Sequence, residues 1–380
     1  MKLSFGMVGG GNGAFIGNVH RRGACADELA VLKAGCFSRN PEKSRETALA
    51  WDVADLSRVY ASYEEMAEAE SAREDGIDFV TIVTPTDTHY AIAKCFLEHG
   101  IHVVCDKPIC VTSEQGQDLR RIAEERGLAF GVTYTYASYA VIRQAREMIN
   151  HGEIGEILNI VAEYPQDWLI VSTVAKKSDQ ALWRLDPIRA GGSACCADIG
   201  THLEALIHQM TGLRLESVLA RFTHFKGSPM EHDIQVLLRY EKDIPGMMWA
   251  SQFATGSDCG VRIRVYGEKG SLEWRHRQPM ELIHAPLNEP IRILTANKEY
   301  CYDECTQQCR LPAGHPEGFY EAFANVYHAF CLHLLEEKGE KVPSGFRYPT
   351  VEDGIAGLLF TEACVRSAQN GNIWVDLGPM

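Results

Sequence analysis

The chain of 380 residues lacks several features that mark special classes of protein. It has no apolar run long enough to cross a bilayer, which takes about 20 residues as a helix, so we expect no membrane partner. Its 37 Lys and Arg are outnumbered by 51 Asp and Glu, giving a net charge of −14. That balance argues against nucleic acid or another polyanion as a partner. It also has no internal repeat and no low-complexity tract.

The sequence also lacks a Cys-x-x-Cys pair, although it contains 13 cysteines. Because this number is odd, the chain is long and several cysteines lie in apolar stretches, we expect reduced thiols and a cytoplasmic protein. The N-terminus has no signal-peptide h-region, which agrees with that expectation. Cys301, Cys305 and Cys309, with His315 nearby, could ligate a metal, but without Cys-x-x-Cys spacing we expect ordinary thiols and no metal site.

The first stretch with a strong pattern is the opening one. An apolar strand beginning at Leu3 runs into a glycine-rich turn, and a helical pattern follows. Gly9 and Gly11 fit the first half of the dinucleotide-binding fingerprint, but the next suitable glycine is Gly17, unless Ala14 takes that place. We interpret the stretch as a longer phosphate-binding loop, the alternative being a plain tight turn.

The length predicts about two domains, and an apolar fraction of 46% is enough for a full core. Strands and helices alternate through residues 1–135, which predicts parallel βαβ units in a doubly wound Rossmann domain. Residues 136–345 contain alternating strands joined by short turns, which predict a second α/β domain with an open, mainly antiparallel sheet. Residues 346–380 form a C-terminal helical segment that we expect to pack back on the Rossmann domain.

Two polar stretches follow apolar strands of the first domain, and substrates bind at the carboxyl ends of parallel strands. The first is Thr84-Pro85 with His89, and the second is Asp106-Lys107-Pro108. A lysine in a partly dry cleft loses charge more easily and can transfer protons. The alternative for Lys107 is a lysine at a strand end whose ammonium reaches the solvent.

A third stretch contains Asp198 and His202, which are i and i+4 and would share one face of a helix. A carboxylate that orients an imidazole makes a proton-transfer pair. The alternative is that Asp198 caps the helix and that His202 lies on the surface. Upstream, the polar and aromatic side chains of Trp183, Arg184 and Asp186 could bind hydroxyl groups.

The second strand ends without the acidic residue that commonly accepts hydrogen bonds from the ribose 2′-hydroxyl of NAD. Ser38 and Arg39 stand there instead. Arg39 could pair with an adenosine 2′-phosphate, whereas Ser38 alone could serve a 2′-hydroxyl. We therefore expect use of both NAD and NADP, with a lean to NADP.

Taken in order, four motifs resemble the Gfo/Idh/MocA family, named after glucose–fructose oxidoreductase, inositol dehydrogenase and their relatives. The match covers nearly the whole chain. The motifs are the glycine loop with Ala14-Phe15-Ile16-Gly17-x-x-His20-Arg21, Thr84-Pro85-x-x-x-His89, Asp106-Lys107-Pro108 and Asp198-x-Gly200-x-His202. Asp106 is a departure, because the family usually has glutamate there; the shorter carboxylate changes reach but not charge.

The resemblance implies a nicotinamide cofactor, NAD or NADP, and hydride exchange with a carbinol of a sugar or cyclitol. It implies that Lys107, Asp198 and His202 are catalytic. The residues that we expect at the cofactor are Gly9, Gly11, Asn12, Ala14, Phe15, Ile16, Ser38, Arg39, Thr84, Pro85, His89, Asp106 and Lys107. Those that we expect at the substrate are Lys107, Tyr136, Gln166, Trp183, Arg184, Asp186, Asp198, His202 and His315.

In the mechanism that we expect, His202 or Lys107 takes the hydroxyl proton, Lys107 stabilises the developing alkoxide, and Asp198 orients the base. Similarity to a sub-group of the family favours inositols or hexose rings as substrates. Two rival interpretations are a non-redox lyase or hydrolase that recycles a tightly bound NAD, and a regulatory member without activity. We also expect a homodimer or homotetramer that buries the open face of the sheet, where we place Val236, Leu238, Met248 and Trp249.

Overall fold

The computed structural model describes residues 2–170, 192–225 and 228–378. The chain divides into two compact units. The first contains residues 1–135 and 319–355, and the second contains residues 136–318 and 356–380. None of the helices within the described ranges combines the length and apolarity that a membrane span requires.

The first unit is built on a parallel sheet of five strands in the order β2-β1-β3-β4-β5. The chain reverses direction of travel across the sheet at β1, and the carboxyl ends of β1 and β3 flank this switch point, where such folds bind ligands. The Rossmann prediction is confirmed. The elements are β1 (Leu3–Gly9), α1 (Phe15–Cys25), β2 (Ala30–Cys36), α2 (Pro41–Ala50), α3 (Tyr63–Ser71), β3 (Phe79–Val83), α4 (Thr86–Glu98), β4 (His102–Cys105), α5 (Ser113–Arg126) and β5 (Phe130–Val132).

The second unit contains a nine-stranded sheet in the order β13-β12-β11-β10-β6-β9-β8-β7-β14. Neighbouring strands run antiparallel, except that β6 and β9 are parallel. The described elements from residue 136 onward are α6 (Ala140–Asn150), β6 (Ile157–Pro165), α7 (Thr201–Thr211), β7 (Leu215–Thr223), β8 (Asp233–Tyr240), β9 (Ile244–Ser251), β10 (Arg262–Gly267), β11 (Gly270–Arg275), β12 (Glu281–Pro286), β13 (Arg292–Thr295), α8 (Asp303–Thr306), α9 (Phe319–Glu337), α10 (Val351–Gln369) and β14 (Trp374–Asp376).

Helix α9 lies in the first unit, although we placed its residues in the second domain. The reason is its buried aromatic face, because the ring of Phe330 packs edge-on against Phe79 of β3 at 5.3 Å between centroids. Phe323 and Tyr327 join the same core cluster. Helix α10 begins in the first unit and continues in the second, so the predicted packing of residues 346–380 on the Rossmann domain stays a prediction.

One face of the nine-stranded sheet is buried, and it carries residues that we placed on the open face. Val236, Leu238 and Met248 are at most 2% exposed and belong to the buried face. Leu237 and Met247, one position along in each strand, are 45% and 50% exposed. Our assignment of Val236, Leu238 and Met248 to the open face was wrong, because period-2 alternation defines two faces without saying which one is covered. Trp249, the fourth residue that we placed there, is half-buried and shares the parity of Met247 on the open face.

The open face still supports the assembly prediction, on different residues. The register of the strands places a continuous apolar row across five of them. The row is formed by Trp374, Leu219, Leu237, Met247 and Val161. Trp374, Leu237 and Met247 are exposed, and the other two residues are half-buried. An apolar row of this kind is typical of a contact surface between proteins.

We predict a homodimer or homotetramer in solution that buries this row. The double variant Leu237→Asp, Met247→Asp should dissociate it, because two unpaired charges would have to be buried in the interface. Light scattering at micromolar concentration checks both statements. Leu287→Asp, at an exposed turn residue, is the control and should not change the mass. A monomeric wild-type chain would contradict the prediction.

Candidate active site

The glycine loop after β1 has the backbone that a dinucleotide-binding loop requires. Gly9 and Gly10 have φ angles of 82° and 67°, which favour glycine. A Cβ on Gly17 would lie 1.8 Å from the carbonyl oxygen of Gly10, so α1 can approach the loop only with glycine there. Gly17 therefore fills the third glycine position of the fingerprint, and Ala14 is the residue that precedes α1.

The residues present fit a bound dinucleotide. Helix α1 has no side-chain cap and no acidic residue in its first turn, which begins with Phe15 and Ile16. Its first backbone N–H groups and the positive end of its dipole are an anion-binding arrangement. Two hydrogen bonds fix the loop to neighbouring segments. Gly11 N donates to Phe37 O, just after β2, at 3.2 Å, and Asn12 N donates to Thr47 Oγ1 of α2 at 2.9 Å.

The turn after β2 carries the residues that would meet the adenosine ribose. Ser38 is half-buried, and its Oγ accepts a hydrogen bond from Asn40 N at 3.1 Å. Asn40 caps α2 by accepting from Glu42 N and Lys43 N. Arg39 is exposed between them. The turn therefore offers a hydroxyl and a guanidinium, and no carboxylate, at the end of the strand.

His89 ties together the two turns that follow β3 and β4. Its Nε2 lies 2.7 Å from the carbonyl oxygen of Thr84, and its Nδ1 lies 2.8 Å from that of Pro108. The ring is buried, and burial lowers the pKa of His89. His89 therefore links the turn that contains Pro85 to the turn that contains Lys107.

Asp106 fixes the residue next to Lys107. Its Oδ1 accepts hydrogen bonds from Lys107 N and from Thr133 Oγ1, both at 2.9 Å, and lies 3.8 Å from His20 Nε2. Burial alone would raise the pKa of Asp106, but the His20 contact and the charge of Lys107 hold it well below its usual range. This anchored carboxylate holds the backbone of Lys107 at the carboxyl end of β4.

In the second unit, Asp198 lies in a π-helical turn, Cys196–Gly200, and His202 follows in the first turn of α7. Asp198 Oδ2 accepts a hydrogen bond from Gln252 Nε2 at 2.9 Å, and Gln252 is 1% exposed. Asp198 does not cap α7, since Gly200 precedes the helix, and His202 is buried. The alternative of a capping aspartate beside a surface histidine is therefore excluded. π-helical turns are frequent at functional sites.

Glu231, which we did not predict, holds the start of this segment. Its Oε1 accepts from Ser193 Oγ at 2.6 Å and from the backbone N–H groups of Ala194 and Cys196, both at 2.9 Å. Burial raises the pKa of Glu231, against the opposing effect of these bonds. The carboxyl group thereby satisfies buried donors at the entry to the turn that carries Asp198.

Tyr136 lies against His202. The two rings pack edge-on at 4.9 Å between centroids, and Tyr136 Oη lies 2.7 Å from Tyr164 Oη. Gln166 is buried just after β6, where its backbone bonds to Ser251 and Ala254 on either side of Gln252. The structure therefore brings Tyr136, Gln166, Asp198 and His202 into one region of the second unit.

Four further predicted substrate-site residues lie within residues 183–186 and at position 315. Trp183, Arg184 and Asp186 lie outside the described residues. His315 is exposed, and its Nδ1 donates within its own loop to Pro312 O at 3.1 Å. In the part of the chain that the structure describes, no group of three or more His, Cys, Asp or Glu side chains is arranged to hold a metal ion.

Two family models match the chain. The model described as an oxidoreductase family with an NAD-binding Rossmann fold matches residues 3–134. The model of the GFO/IDH/MocA C-terminal domain matches residues 142–273. The two matches coincide with the glycine loop unit and with the unit that carries Asp198 and His202.

Similar proteins span nearly the whole chain. An uncharacterized oxidoreductase of Bacillus subtilis is 37% identical, covering 98% of this chain and 96% of the relative. The inositol 2-dehydrogenase of Rhizobium meliloti is 25% identical, covering 97% of each. The crystal structure of an inositol dehydrogenase homolog from Azotobacter vinelandii complexed with NAD+ has a TM-score of 0.94 and 36% identity, covering 99% of this chain and 97% of that one.

Proposed function

Because the chain belongs to the Gfo/Idh/MocA family of NAD-binding oxidoreductases, we propose that it is an NAD(P)-dependent dehydrogenase of a secondary carbinol in a cyclitol or sugar. The observation that carries the proposal is the contact of the buried rings of His202 and Tyr136 beside the half-buried Asp198, which Gln252 holds. A cyclitol is favoured because the Azotobacter vinelandii homolog, 35% identical in this second structure, was also solved with NADH and myo-inositol.

The proposed roles follow from the side chains. A bound nicotinamide supplies the hydride acceptor. His202 or Lys107 takes the proton of the substrate hydroxyl, and the ammonium of Lys107 stabilises the alkoxide that develops. Asp198, fixed by Gln252, orients the base. The hydroxyl groups of Tyr136 and Tyr164 share one hydrogen bond, so one of the two phenols has a proton that it can donate to a polyol.

The test is a screen of inositols, hexoses and glucosides with NAD and with NADP, followed by the absorbance of the reduced cofactor. We expect net formation of reduced cofactor with at least one polyol. Product formation without net reduction, together with cofactor that copurifies with the enzyme, would replace the proposal by a lyase or hydrolase that recycles its NAD. Binding of cofactor without turnover of any compound would favour a regulatory protein.

We predict that both NAD and NADP are used, with a slight preference for NADP that depends on Arg39. In Arg39→Ala, kcat/KM with NADP should fall roughly 10- to 150-fold, because a charge-assisted hydrogen bond to the 2′-phosphate is lost. This change corresponds to a loss of about 1.5–3 kcal/mol in transition-state stabilisation. The value with NAD should stay nearly unchanged. Steady-state kinetics with each cofactor measures both.

Lys43→Ala is the matched control, since Lys43 is an exposed cation in the first turn of α2, four residues beyond Arg39. Lys43→Ala tests whether any positive charge near the turn, and not Arg39 in particular, accounts for the loss of kcat/KM with NADP. Equal losses for the two cofactors in Arg39→Ala, or no loss for either, would mean that Arg39 does not bind the 2′-phosphate.

A further inference from the structure

The chain contains two Asn-Gly pairs, and one of them lies in the glycine loop. They are Asn12-Gly13, between β1 and α1, and Asn370-Gly371, just after α10. An asparagine before glycine is prone to lose its side-chain amide, because the glycine nitrogen can attack the carboxamide without hindrance from a Cβ. Whether the reaction proceeds in a folded protein depends on the surroundings of each pair.

The backbone on both sides of Asn12-Gly13 is hydrogen-bonded, whereas the reacting groups of the pair are not. Asn12 N donates to Thr47 Oγ1 at 2.9 Å, and Ala14 N donates to Gly11 O at 3.0 Å. Within the described part of the chain, neither the N–H group of Gly13 nor the carboxamide of Asn12 has a hydrogen-bond partner. Both residues are exposed, so the attacking nitrogen and its target are accessible to water.

Gly13 also has free space around it. Its φ angle of 94° favours glycine. A Cβ on Gly13 would meet no atom within 4 Å beyond its chain neighbours, in contrast to the crowded Gly17 of the same loop. The side chain of Asn12 can therefore turn towards Gly13 N without displacing packed atoms.

Asn370-Gly371 differs from the first pair in one respect. Asn370 is exposed, and Gly371 has a φ angle of 86°, so exposure and glycine conformation are similar. The side chain of Asn370, however, is engaged, since its Nδ2 donates to Arg366 O at 2.7 Å. This hydrogen bond has to break before Gly371 N can reach the carboxamide, so the second pair is an internal comparison for the first.

We propose that Asn12 is a site of spontaneous deamidation, that a bound dinucleotide protects it, and that the deamidated chain binds NAD more weakly. In the reaction Gly13 N loses its proton and forms a bond to Cγ of Asn12, while the Cγ–Nδ2 bond breaks and the nitrogen leaves as ammonia. Water then opens the five-membered imide at either carbonyl carbon and gives aspartate or isoaspartate. Water is the co-reactant, and nothing is oxidised or reduced.

The product places a carboxylate in the loop that we propose to hold the dinucleotide. Asn12 lies shortly before Phe15, where α1 begins without a side-chain cap. The first N–H groups of α1 and the positive end of its dipole attract an anion. A carboxylate at position 12 competes for these donors and repels the diphosphate of the cofactor. Conversely, a bound diphosphate holds the loop and keeps the Asn12 side chain away from Gly13 N. These two effects rest on the proposed function, whereas the deamidation itself does not.

The first experiment measures the reaction without using activity. The full-length chain is incubated at pH 8.5 with and without NAD, and the deamidated fraction at each asparagine is read by peptide mass spectrometry. Without NAD, Asn12 should react roughly tenfold faster than Asn370, the factor that corresponds to one hydrogen bond. With NAD at about ten times its dissociation constant, the rate at Asn12 should fall roughly tenfold, in proportion to the unbound fraction. The rate at Asn370 should not change.

The contradicting outcomes are distinct. An Asn12 that reacts no faster than Asn370 would overturn the modification site. A rate at Asn12 that NAD leaves unchanged, in a chain whose NADH binding is seen by fluorescence, would overturn the protection. Fast deamidation of Asn12 in a chain that binds no dinucleotide would support the modification site and count against the proposed function alone.

Two variants test the effect on the cofactor. Asn12→Asp carries the charge of the product and should bind NAD roughly tenfold more weakly than fresh wild type, the order of a like-charge contact in a partly aqueous site. Asn12→Gln would have to form a six-membered ring, so its NAD affinity should stay at its own starting value through the incubation, while that of wild type falls with the deamidated fraction. Unchanged NAD affinity in Asn12→Asp would overturn the effect on binding. An affinity that falls equally fast in Asn12→Gln and wild type would overturn Asn12 as its cause.

Discussion

The Lys107→Ala and His202→Ala variants should each have a kcat that is lower by about 10²-fold or more, which is the effect of losing an acid–base group. Lys107 stands directly after Asp106, whose bonds to Lys107 N and Thr133 Oγ1 hold the end of β4. His202 lies buried against Tyr136. Removing either side chain deletes one of the two groups that we propose to take the hydroxyl proton, while the glycine loop proposed to bind the cofactor is left intact.

The measurement is steady-state turnover with the substrate found in the screen, together with the NADH dissociation constant from fluorescence. The controls are Lys94→Ala on α4, a half-buried lysine paired with Asp118, and His99→Ala, an exposed histidine that follows the same helix. Both should keep wild-type kcat. A variant of Lys107 or His202 with near-wild-type turnover would remove that residue from the mechanism, and a parallel loss of NADH affinity would indicate a binding role.

Local patterns in the sequence were sufficient for much of the fold. The apolar run that ends at Val83 is a fully buried strand, as its composition predicts. The pattern Ser62-x-x-Glu65 is typical of a helix start, and α3 begins there with a bond from Glu65 N to Ser62 Oγ. Helix α9 covers residues 319–337, an apolar stretch of helical composition. Each of these features depends on neighbours within a few turns of the chain.

Contacts between side chains that are far apart in the chain could not be predicted from the sequence. Asp198 is fixed by Gln252, 54 positions later, and Tyr136 meets Cys259 across 123 positions. Neither Gln252 nor Cys259 belongs to a spacing motif, so no local signal points to it. The buried face of β8 and β9 was missed for a related reason, because which face the helices cover is decided by tertiary packing.

Glu231 provides the second large effect, on stability as well as activity. In Glu231→Ala the hydroxyl of Ser193 and the buried N–H groups of Ala194 and Cys196 lose their shared acceptor. Leaving the two buried amides unsatisfied should lower the free energy of unfolding by about 2–4 kcal/mol. Because these residues lead into the turn that carries Asp198, kcat should fall as well. Denaturant unfolding and turnover measure the two losses.

Glu231→Gln is the matched variant, because its carboxamide oxygen can accept the same three bonds but does not ionise. Burial raises the folded-state pKa of Glu231 above 4.5, so between 4.5 and that value the folded chain retains a proton that the unfolded chain releases. Wild-type stability should therefore fall as the pH rises through this window, relative to Glu231→Gln. Unfolding curves at pH 4 and pH 7 should show the difference between the two proteins shifting in favour of Gln at pH 7. A constant difference would mean that folding does not shift the pKa of Glu231. A Gln variant as unstable as Ala would mean that the negative charge itself holds the turn.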